Sequence, residues 1–304
     1  MSPPATSGSI LYNLLIDRVL VIGATGHTGR ETVRLLVEMG MPVRAVTRDR
    51  ATAAALTELA GAELVVGDSA EPETLNAAFG GVDKLYLVPP TVFGWAEAQA
   101  TLIEMARENG VRHIVRISTV GVAPDALSLT LRSHWRGEQE MEQSGMGFTH
   151  IRSNSFFQNC LFDSDEIIEH DRFFGCVGRV TYAKVDTRDV ASVVALALAE
   201  PGHEGRTYTL TGPAAITYKE MAAGLSRALG RTIRYVDLPN PEYLEYLLSL
   251  DYPRWLAEEF VAMYGHYEEG SFVSQTTDTI EMLLKRPPRS FDTFATDYRS
   301  HFQR

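Results

Sequence analysis

The sequence predicts an α/β fold with a doubly wound parallel sheet and a small, mostly helical C-terminal lobe. Three observations predict it. Short runs rich in β-branched residues alternate with stretches of helical periodicity between residues 18 and 155. A glycine-rich turn joins the first run to the first helical stretch. The 304 residues are enough for one large domain or two modest ones with a full apolar core.

The first half of the chain contains most of the predicted sheet. After a loose N-terminal extension (1–16), apolar runs predict strands at 18–22, 43–47, 63–66, 84–88, 113–117 and 149–152. Helical spacing predicts helices at 28–39, 72–79 and 95–108, and a further polar helix before the last of these strands. Strands that alternate with helices form right-handed βαβ units, which build a parallel sheet.

The alternation loosens after residue 155. Residues 206–211 still alternate like a strand, and Thr217 with Glu220 forms a capping-box pattern before a helix that ends near Gly230. From Pro239 onward the sequence is helical and rich in aromatic residues. We therefore predict a first domain at 17–155. Residues 156–304 supply the remaining strands and a lobe that walls a substrate pocket.

Composition excludes several classes of protein. Hydrophobic residues make up 45% and charged residues 22%, which is typical of a globular chain and not of a disordered one or a coiled coil. The net charge of −11 disfavours nucleic acid as a partner. No apolar run approaches the ~18 residues of a membrane span, and Met1 to Asn13 lack a secretory pattern. With only two cysteines, we expect neither disulfides nor a metal site, and a cytoplasmic location.

The glycine-rich turn, GATGHTG at 23–29, indicates a phosphate-binding site. It follows a strand and opens a helix, the context in which Gly23 makes a tight turn, Gly26 lets a pyrophosphate approach and Gly29 packs the helix on the strand. The helix start supplies N–H donors. The remaining candidate contacts within the turn are Thr25, His27 and Thr28. The alternative is a glycine turn that binds nothing.

Arg48 indicates which dinucleotide binds. NAD-binding folds usually carry an acid at the end of the second strand, whereas this chain has Thr47-Arg48 there. A guanidinium can hold a ribose 2′-phosphate through paired hydrogen bonds, which favours NADP(H) over NAD(H). The neighbouring Asp49 weakens the inference, and a solvated surface charge is the alternative role for Arg48.

The next strand ends add weaker candidates. Asp68 and Ser69 follow the third strand, where an adenine edge would lie, although Asp68 could equally be a turn or cap residue. Val88 and Pro89 end the fourth strand near the expected nicotinamide ribose. A backbone carbonyl would make that contact, so the side chains say little about the chemistry.

A family resemblance follows from these motifs. The sequence resembles the NmrA-like branch of the atypical short-chain dehydrogenase/reductases over about residues 17–296. This branch includes quinone reductases, isoflavone-reductase-like enzymes and NADP-sensing regulators. The resemblance implies that 17–155 form an NADP-binding Rossmann domain. The segments that carry it are GATGHTGR (23–30), VRAVTRD (43–49), VDKLYLVPP (82–90), HIVRIS (113–118), SGMGFTHIRSNSFFQN (144–159), YTLTGP (208–213) and RPPRSFDTF (286–294).

The Tyr–Lys dyad of short-chain reductases is absent, because no lysine occurs between Lys84 and Lys184. The register of the family places Thr130 at the Tyr position and His134 at the Lys position. Imidazole titrates near neutral pH, so His134 is the candidate proton donor and cofactor contact; the alternative is an exposed helical histidine. By resemblance, Ser118 is the second candidate catalytic residue and bonds substrate or ribose, unless it only caps its strand. Thr130 is expected to line the pocket.

Aromatic and amide side chains follow the sixth strand. Asn154, Phe156, Phe157 and Asn159 come directly after it, beside the expected nicotinamide ring. Phenyl rings there suit a flat aromatic or quinone-like substrate, although phenylalanines are more often core residues. We therefore expect Asn154, Phe156 and Phe157 to contact substrate, with the core role as the alternative for the two rings.

Three functions remain open from the sequence. The first is an NADPH-dependent reductase that passes hydride to a quinone-like or conjugated carbonyl, imine or alkene compound. The second is a non-catalytic NADP(H) sensor that acts through a protein partner. The third is a cyclase or epimerase without net redox chemistry. The sequence favours the first, and it leaves the substrate and the oligomeric state open.

Overall fold

The structure, a computed structural model, describes residues 17–49, 61–89 and 93–303. The predicted N-terminal extension (1–16) and Pro90 lie outside the described residues. Within that part of the chain, no helix combines the length and the apolar character that crossing a membrane requires. The same residues contain no group of three or more His, Cys, Asp or Glu side chains placed to hold a metal ion.

The predicted parallel sheet is confirmed. Among the described residues its main body has seven strands, with neighbouring strands parallel throughout and the order β3-β2-β1-β4-β5-β6-β8. A small second sheet pairs β7 with β9, also in parallel. The strands are β1 (Val19–Ile22), β2 (Val43–Thr47), β3 (Ala62–Val66), β4 (Lys84–Leu87), β5 (His113–Thr119), β6 (Gly147–Ser153), β7 (Arg172–Gly175), β8 (Arg206–Leu210) and β9 (Arg234–Asp237).

Helices connect and flank these strands. The segment predicted as a helix from Pro72 is a 3₁₀ helix (Pro72–Phe79), and a second 3₁₀ helix follows β6 (Phe157–Asp163). The described α-helices are α1 (His27–Glu38), α2 (Trp95–Glu108), α3 (Leu129–Gln143), α4 (Ser164–His170), α5 (Thr187–Ala199), α6 (Tyr218–Leu229), α7 (Asn240–Ser249), α8 (Arg254–Tyr264), α9 (Thr279–Leu284) and α10 (Phe291–Asp297).

The sheet is covered on both faces, as its uninterrupted apolar strands require. Alternate residues of β1 point to opposite sides. Val19 and Val21 belong to a core shared with α1 and α5, whereas Leu20 and Ile22 belong to a core shared with α2. Because β1 lies between β2 and β4, the strand order reverses beside it. A ligand crevice is expected at this edge, beyond the carboxyl ends of the strands.

The C-terminal part builds a lobe with its own apolar cluster. Thr217 and Glu220 form the predicted capping box at the start of α6, which ends at Gly230. Phe173 of β7, Met221 of α6 and Phe294 of α10 are buried together in this lobe. β8 comes from the second part of the chain and completes the main sheet. The predicted division of the chain at residue 155 stays a prediction.

Candidate functional site

The glycine turn at the end of β1 is shaped by close backbone packing. Gly23 has a positive φ of 85°, and its carbonyl accepts a hydrogen bond from the Gly26 N–H at 3.1 Å. A Cβ on Gly29 would lie only 2.1 Å from the Gly23 oxygen, so α1 can begin here only with glycine at that position. The predicted packing role of Gly29 therefore has a direct steric cause.

The open side of the turn suits an anion. Thr25, Gly26 and His27 are exposed, whereas Thr28 is buried against the sheet. No side chain among the described residues caps the first turn of α1, and that turn carries no acidic residue. The first N–H groups of a helix and its dipole favour negative charge. This cradle fits a pyrophosphate group.

The two neighbouring strand ends carry the predicted adenosine contacts. Arg48 is exposed directly after β2. Asp68 follows β3, and its Oδ1 accepts a hydrogen bond from the Ala70 N–H at 2.9 Å, so this carboxylate closes a turn. Ser69 is half-buried inside that turn. These residues lie at the same edge of the sheet as the glycine turn, since β1, β2 and β3 are parallel neighbours. Their contacts with a cofactor remain predictions.

A cavity of about 270 Å³ lies beyond the carboxyl ends of β4, β5 and β6, at the same edge of the sheet as the glycine turn. We call it the site cavity. The lobe closes it with side chains from α8 and the segment after it. The predicted site residues on its wall are Val88, Pro89, Ser118, Thr130, His134, Asn154 and Phe156, and those from the lobe include Trp255, Tyr264 and Phe272.

His134 lies on the wall of the site cavity, with its ring 5.0 Å from that of Trp95. It is not the exposed histidine of the alternative hypothesis. Its Nδ1 is 3.1 Å from the Nη2 of Arg116, and a guanidinium can only donate, so Nδ1 accepts and Nε2 carries the hydrogen. Burial and the nearby Arg116 charge lower the pKa of His134 well below its ordinary value. This lowered pKa keeps the ring neutral at pH 7, and the role of His134 as proton donor stays a prediction.

Arg116 is fully buried in the middle of β5. Its Nε donates to Gln99 Oε1 at 2.7 Å, and no group among the described residues bonds its Nη1. Burial lowers the pKa of Arg116 to about 10, a value that still leaves it charged at pH 7. Gly137 of α3 makes room for it, since a Cβ there would lie 2.8 Å from Arg116 Nη2. A fixed positive charge therefore lies directly behind His134.

Ser118, at the end of β5, is held by an acidic partner. Its hydroxyl donates to Glu138 Oε1 at 2.6 Å, and Glu138 is fully buried. Arg152 binds both oxygens of the same carboxylate, at 3.0 and 2.5 Å. Burial raises the pKa of Glu138, but the bonds from Arg152 and Ser118 outweigh it and hold the pKa below its ordinary value. Ser118 is therefore an oriented hydroxyl on the cavity wall.

Some of the residues after β6 line the site cavity, and others belong to the apolar core. Asn154 lines the cavity, but its Nδ2 donates to the Val273 carbonyl at 2.8 Å, so the side chain also fixes the lobe. Phe156 lines the cavity. Phe157 does not line it: the ring is 1% exposed and packs against Phe291 and Phe294. The prediction that Phe157 contacts substrate is therefore wrong. The ring is a core residue, because the chain turns into a 3₁₀ helix at this position.

Comparison with known proteins identifies the family. The sequence profile of the NmrA-like family matches residues 16–295. The chain belongs to the NmrA-like family. An NAD(P)H azoreductase of Xenophilus azovorans is 37% identical to this NmrA-like chain over 286 residues, which cover 93% of the chain and 99% of the relative. A (4-alkanoyl-5-oxo-2,5-dihydrofuran-3-yl)methyl phosphate reductase of Streptomyces griseus is 34% identical over 289 residues, with 93% and 99% covered.

A solved structure agrees with this assignment. The crystal structure of an NADPH-dependent quinone oxidoreductase from Escherichia coli, complexed with NADPH, is similar to the NmrA-like chain with a TM-score of 0.77 at 25% identity. The match covers 92% of this chain and 99% of that one. The comparisons confirm the predicted family, the predicted fold and the predicted enzyme class, an oxidoreductase.

Two polar residues of this NmrA-like chain, Ser155 and Lys184, lie at the site although neither was predicted there. Tyr264 lines the site cavity, Ser155 bonds it, and Lys184 lies behind both. One signal was available for Lys184, a lone lysine in the apolar stretch TYAKV at 181–185. A charged residue so placed needs a partner when it is buried. Tyr264 belongs to the aromatic-rich segment that was expected to wall the pocket, but no role was predicted for its hydroxyl.

Proposed function

We propose that this chain is an NADPH-dependent reductase that transfers a hydride to a flat, conjugated small molecule of the quinone, enone, imine or azo class. One observation carries the proposal. The site cavity follows the glycine turn along the same edge of the sheet, so a dinucleotide that lies across the strand ends would place its nicotinamide at the cavity. The NAD(P)H-dependent and NADPH-bound relatives support it.

The residues that would hold the cofactor fall into three groups along this edge. The glycine turn would bind the pyrophosphate through the backbone of Gly23, Thr25, Gly26, His27, Thr28 and Gly29. Arg48 would bind the 2′-phosphate, with Asp68 and Ser69 beside the adenine. Val88 and Pro89 would contact the nicotinamide ribose. The preference for NADP(H) over NAD(H) rests on Arg48.

When bound, the cofactor supplies a hydride. The protein positions the acceptor and excludes water. The neutral His134 can donate its Nε2–H to an acceptor or ribose oxygen, and Ser118 offers an oxygen held in place by Glu138. Thr130 and Phe156 line the wall, and rings such as Trp255 and Phe272 from the lobe suit an aromatic substrate. A polarised acceptor of this kind needs less acid catalysis than a simple ketone.

The test is NADPH oxidation with a panel of quinones, enones, imines, azo compounds and aldehydes. We expect turnover with at least one conjugated acceptor, and transfer of deuterium from labelled NADPH into the product. No turnover with any acceptor of the panel, together with a clear difference between the affinities for NADP⁺ and NADPH, would instead support the non-catalytic NADP(H) sensor. Product formation without label transfer would support the cyclase or epimerase. The predicted cytoplasmic location and the absence of nucleic-acid and membrane partners stay predictions.

A further inference from the structure

Ser155 lies at the centre of a half-buried hydrogen-bond cluster on the wall of the site cavity. Its Oγ is 3.1 Å from Lys184 Nζ, 3.1 Å from Tyr264 Oη and 3.3 Å from Asn159 Nδ2. The four residues come from separate places in the chain: the end of β6, the following 3₁₀ helix, the segment before α5 and the last residue of α8. Only the folded lobe brings them together.

The directions of these hydrogen bonds follow from the available lone pairs. An ammonium and an amide nitrogen can only donate, so Lys184 and Asn159 fill both lone pairs of the Ser155 oxygen. The Ser155 hydroxyl must then donate its own hydrogen to Tyr264 Oη. Tyr264 is left with its O–H as a donor, and Tyr264 lines the site cavity. The cluster therefore leaves the Tyr264 phenol as a hydrogen-bond donor, on a residue that forms part of the site-cavity wall.

A second, smaller cavity of about 90 Å³ lies on the other side of this cluster. We call it the rear cavity. Asn159 and Tyr264 line both cavities, whereas Lys184 lines only the rear one. Asp163 also lines the rear cavity, and burial raises the pKa of its carboxyl to about 7. Proton-carrying groups are thus available behind Ser155, on the side away from the site cavity.

We propose that Tyr264 is the proton donor of this reductase, and that Ser155 and Lys184 form the relay that returns the proton to it. The proposal rests on the proposed function. Reduction adds to the acceptor one hydride, which carries both electrons and comes from the cofactor, and one proton. The Tyr264 O–H bond breaks and a new bond forms between its proton and the acceptor heteroatom. Ser155 then reprotonates the phenolate, Lys184 reprotonates Ser155, and solvent reprotonates Lys184 through the rear cavity.

Tyr264 and Lys184 provide a tyrosine and a lysine at the site, although α3 lacks the Tyr–Lys dyad of short-chain reductases. A general acid must lie within hydrogen-bond reach of the reacting group and have a route for proton return. Tyr264 lines the site cavity and has such a route through Ser155 and Lys184, whereas His134 is neutral and bonded to the positive charge of Arg116. The two residues have different tasks in this proposal: His134 positions the acceptor or ribose, and Tyr264 protonates the acceptor.

The environment of Lys184 sets the expected pH dependence. Burial lowers the pKa of Lys184 to about 8. The Cys160 thiol and the Asp163 carboxyl, both on the 3₁₀ helix after β6, act in the opposite direction. The ammonium also lies 4.7 Å from the centroid of the Tyr218 ring. The titratable groups around it come from the 3₁₀ helix, the segment before α5, α6 and α8: Cys160, Asp163, Tyr182, Tyr218 and Tyr264. The relay needs the protonated amine, so activity should fall as pH rises through about 8.

The first test needs no turnover. The ¹³Cζ resonance of Tyr264, identified by its loss in Tyr264→Phe, reports the hydrogen bond that the phenol oxygen accepts. We expect this resonance to move in Ser155→Ala and in Lys184→Met. It should not move in Tyr235→Phe, because Tyr235 lines neither cavity and its hydroxyl bonds Asp237. A Tyr264 resonance that stays in place in both relay variants would overturn the proposal.

The second test uses the acceptor that the wild type reduces fastest in the panel. We expect Tyr264→Phe to lower kcat by about 100-fold or more with unchanged NADPH affinity, the usual effect of losing a general acid. Lys184→Met and Ser155→Ala should lower kcat and abolish the decline near pH 8, which a merely structural role would not do. Tyr235→Phe should behave as wild type. An active wild type with an equally active Tyr264→Phe would refute the relay alone; a wild type inactive on every acceptor would refute the proposed function itself.

Discussion

The Glu259 carboxylate of α8 accepts a hydrogen bond from the Ser128 hydroxyl at 2.8 Å, across 131 positions of the chain. It also accepts the Leu129 and Thr130 N–H groups, each at 3.0 Å. An acid at a helix N-terminus satisfies free N–H groups and interacts favourably with the helix dipole. This one carboxylate therefore caps α3, which carries His134, and fixes the lobe helix that closes the site cavity.

Removing this cap should loosen the lobe over the site. We expect Glu259→Ala to lower the free energy of unfolding by about 1–3 kcal/mol, since it removes hydrogen bonds to a charged group. The KM of the acceptor should rise roughly tenfold, the equivalent of ~1.4 kcal/mol. Urea denaturation and steady-state kinetics measure the two effects. Glu258→Ala is the control, because Glu258 is exposed and pairs only weakly with Arg254 at 3.4 Å. Equal behaviour of the two variants would contradict the docking role of Glu259.

Arg48 should decide the choice of dinucleotide. We expect Arg48→Ala to raise the Kd of NADPH about 10- to 100-fold, because a charge-assisted bond to the 2′-phosphate is lost. The Kd of NADH should stay the same. Fluorescence or calorimetric titration with both cofactors measures this. The exposed Arg206 of β8 offers a control substitution to alanine far from the glycine turn. An unchanged ratio of the two affinities would remove Arg48 from the cofactor site.

Gly29 should tolerate no side chain. A Cβ at this position would meet the Gly23 carbonyl oxygen at 2.1 Å, and backbone cannot move aside cheaply. We expect Gly29→Ala to lower the free energy of unfolding by about 1–3 kcal/mol, as overpacking does, and to weaken NADPH binding. Gly80→Ala is the control, because its Cβ would find only an ordinary contact at 3.8 Å. Chemical denaturation and NADPH titration compare the two; a fully stable Gly29→Ala would contradict the packing at the turn.

Arg116 should keep His134 neutral. In Arg116→Met the positive charge is gone while burial remains, so the pKa of His134 should rise toward its ordinary value without reaching it. Proton NMR titration measures this, with the resonance assigned by its loss in His134→Asn. Arg112→Met is the control, since Arg112 is exposed and pairs with Asp17. If the titration of His134 did not change, burial alone would account for its low pKa.

Much of the fold was predictable because its signals are local. The first helix and strands of the sheet follow from apolar runs and helical spacing within a few residues. The capping box of Thr217 and Glu220 was visible for the same reason, since its two members are neighbours on one helical turn. The 3₁₀ character of Pro72–Phe79 was not predictable, because the periodicity that indicates a helix does not separate the two helix types at this length.

The parts of the site that lie within one short segment of the sequence were predictable, whereas those that depend on contacts between distant segments were not. The glycine turn is a single segment, and its steric requirements are those expected for Gly23 and Gly29. The register of α3 brought His134 to the cavity. Its protonation state could not be predicted, because it depends on Arg116, a residue of another element. Phe157 was misplaced since adjacent residues can point into different environments once a strand ends.

The sequence by itself determined the alternation of strands and helices, the anion cradle after β1 and the family, because each is encoded in short, contiguous patterns. Only the tertiary structure decided which side chains meet at the cavity. Ser155, Lys184 and Tyr264 have no common motif, and the distances between them arise when the lobe packs against the sheet edge. Burial then sets their chemistry, since removal from water changes the pKa of a lysine or a tyrosine far more than its neighbours in the sequence do.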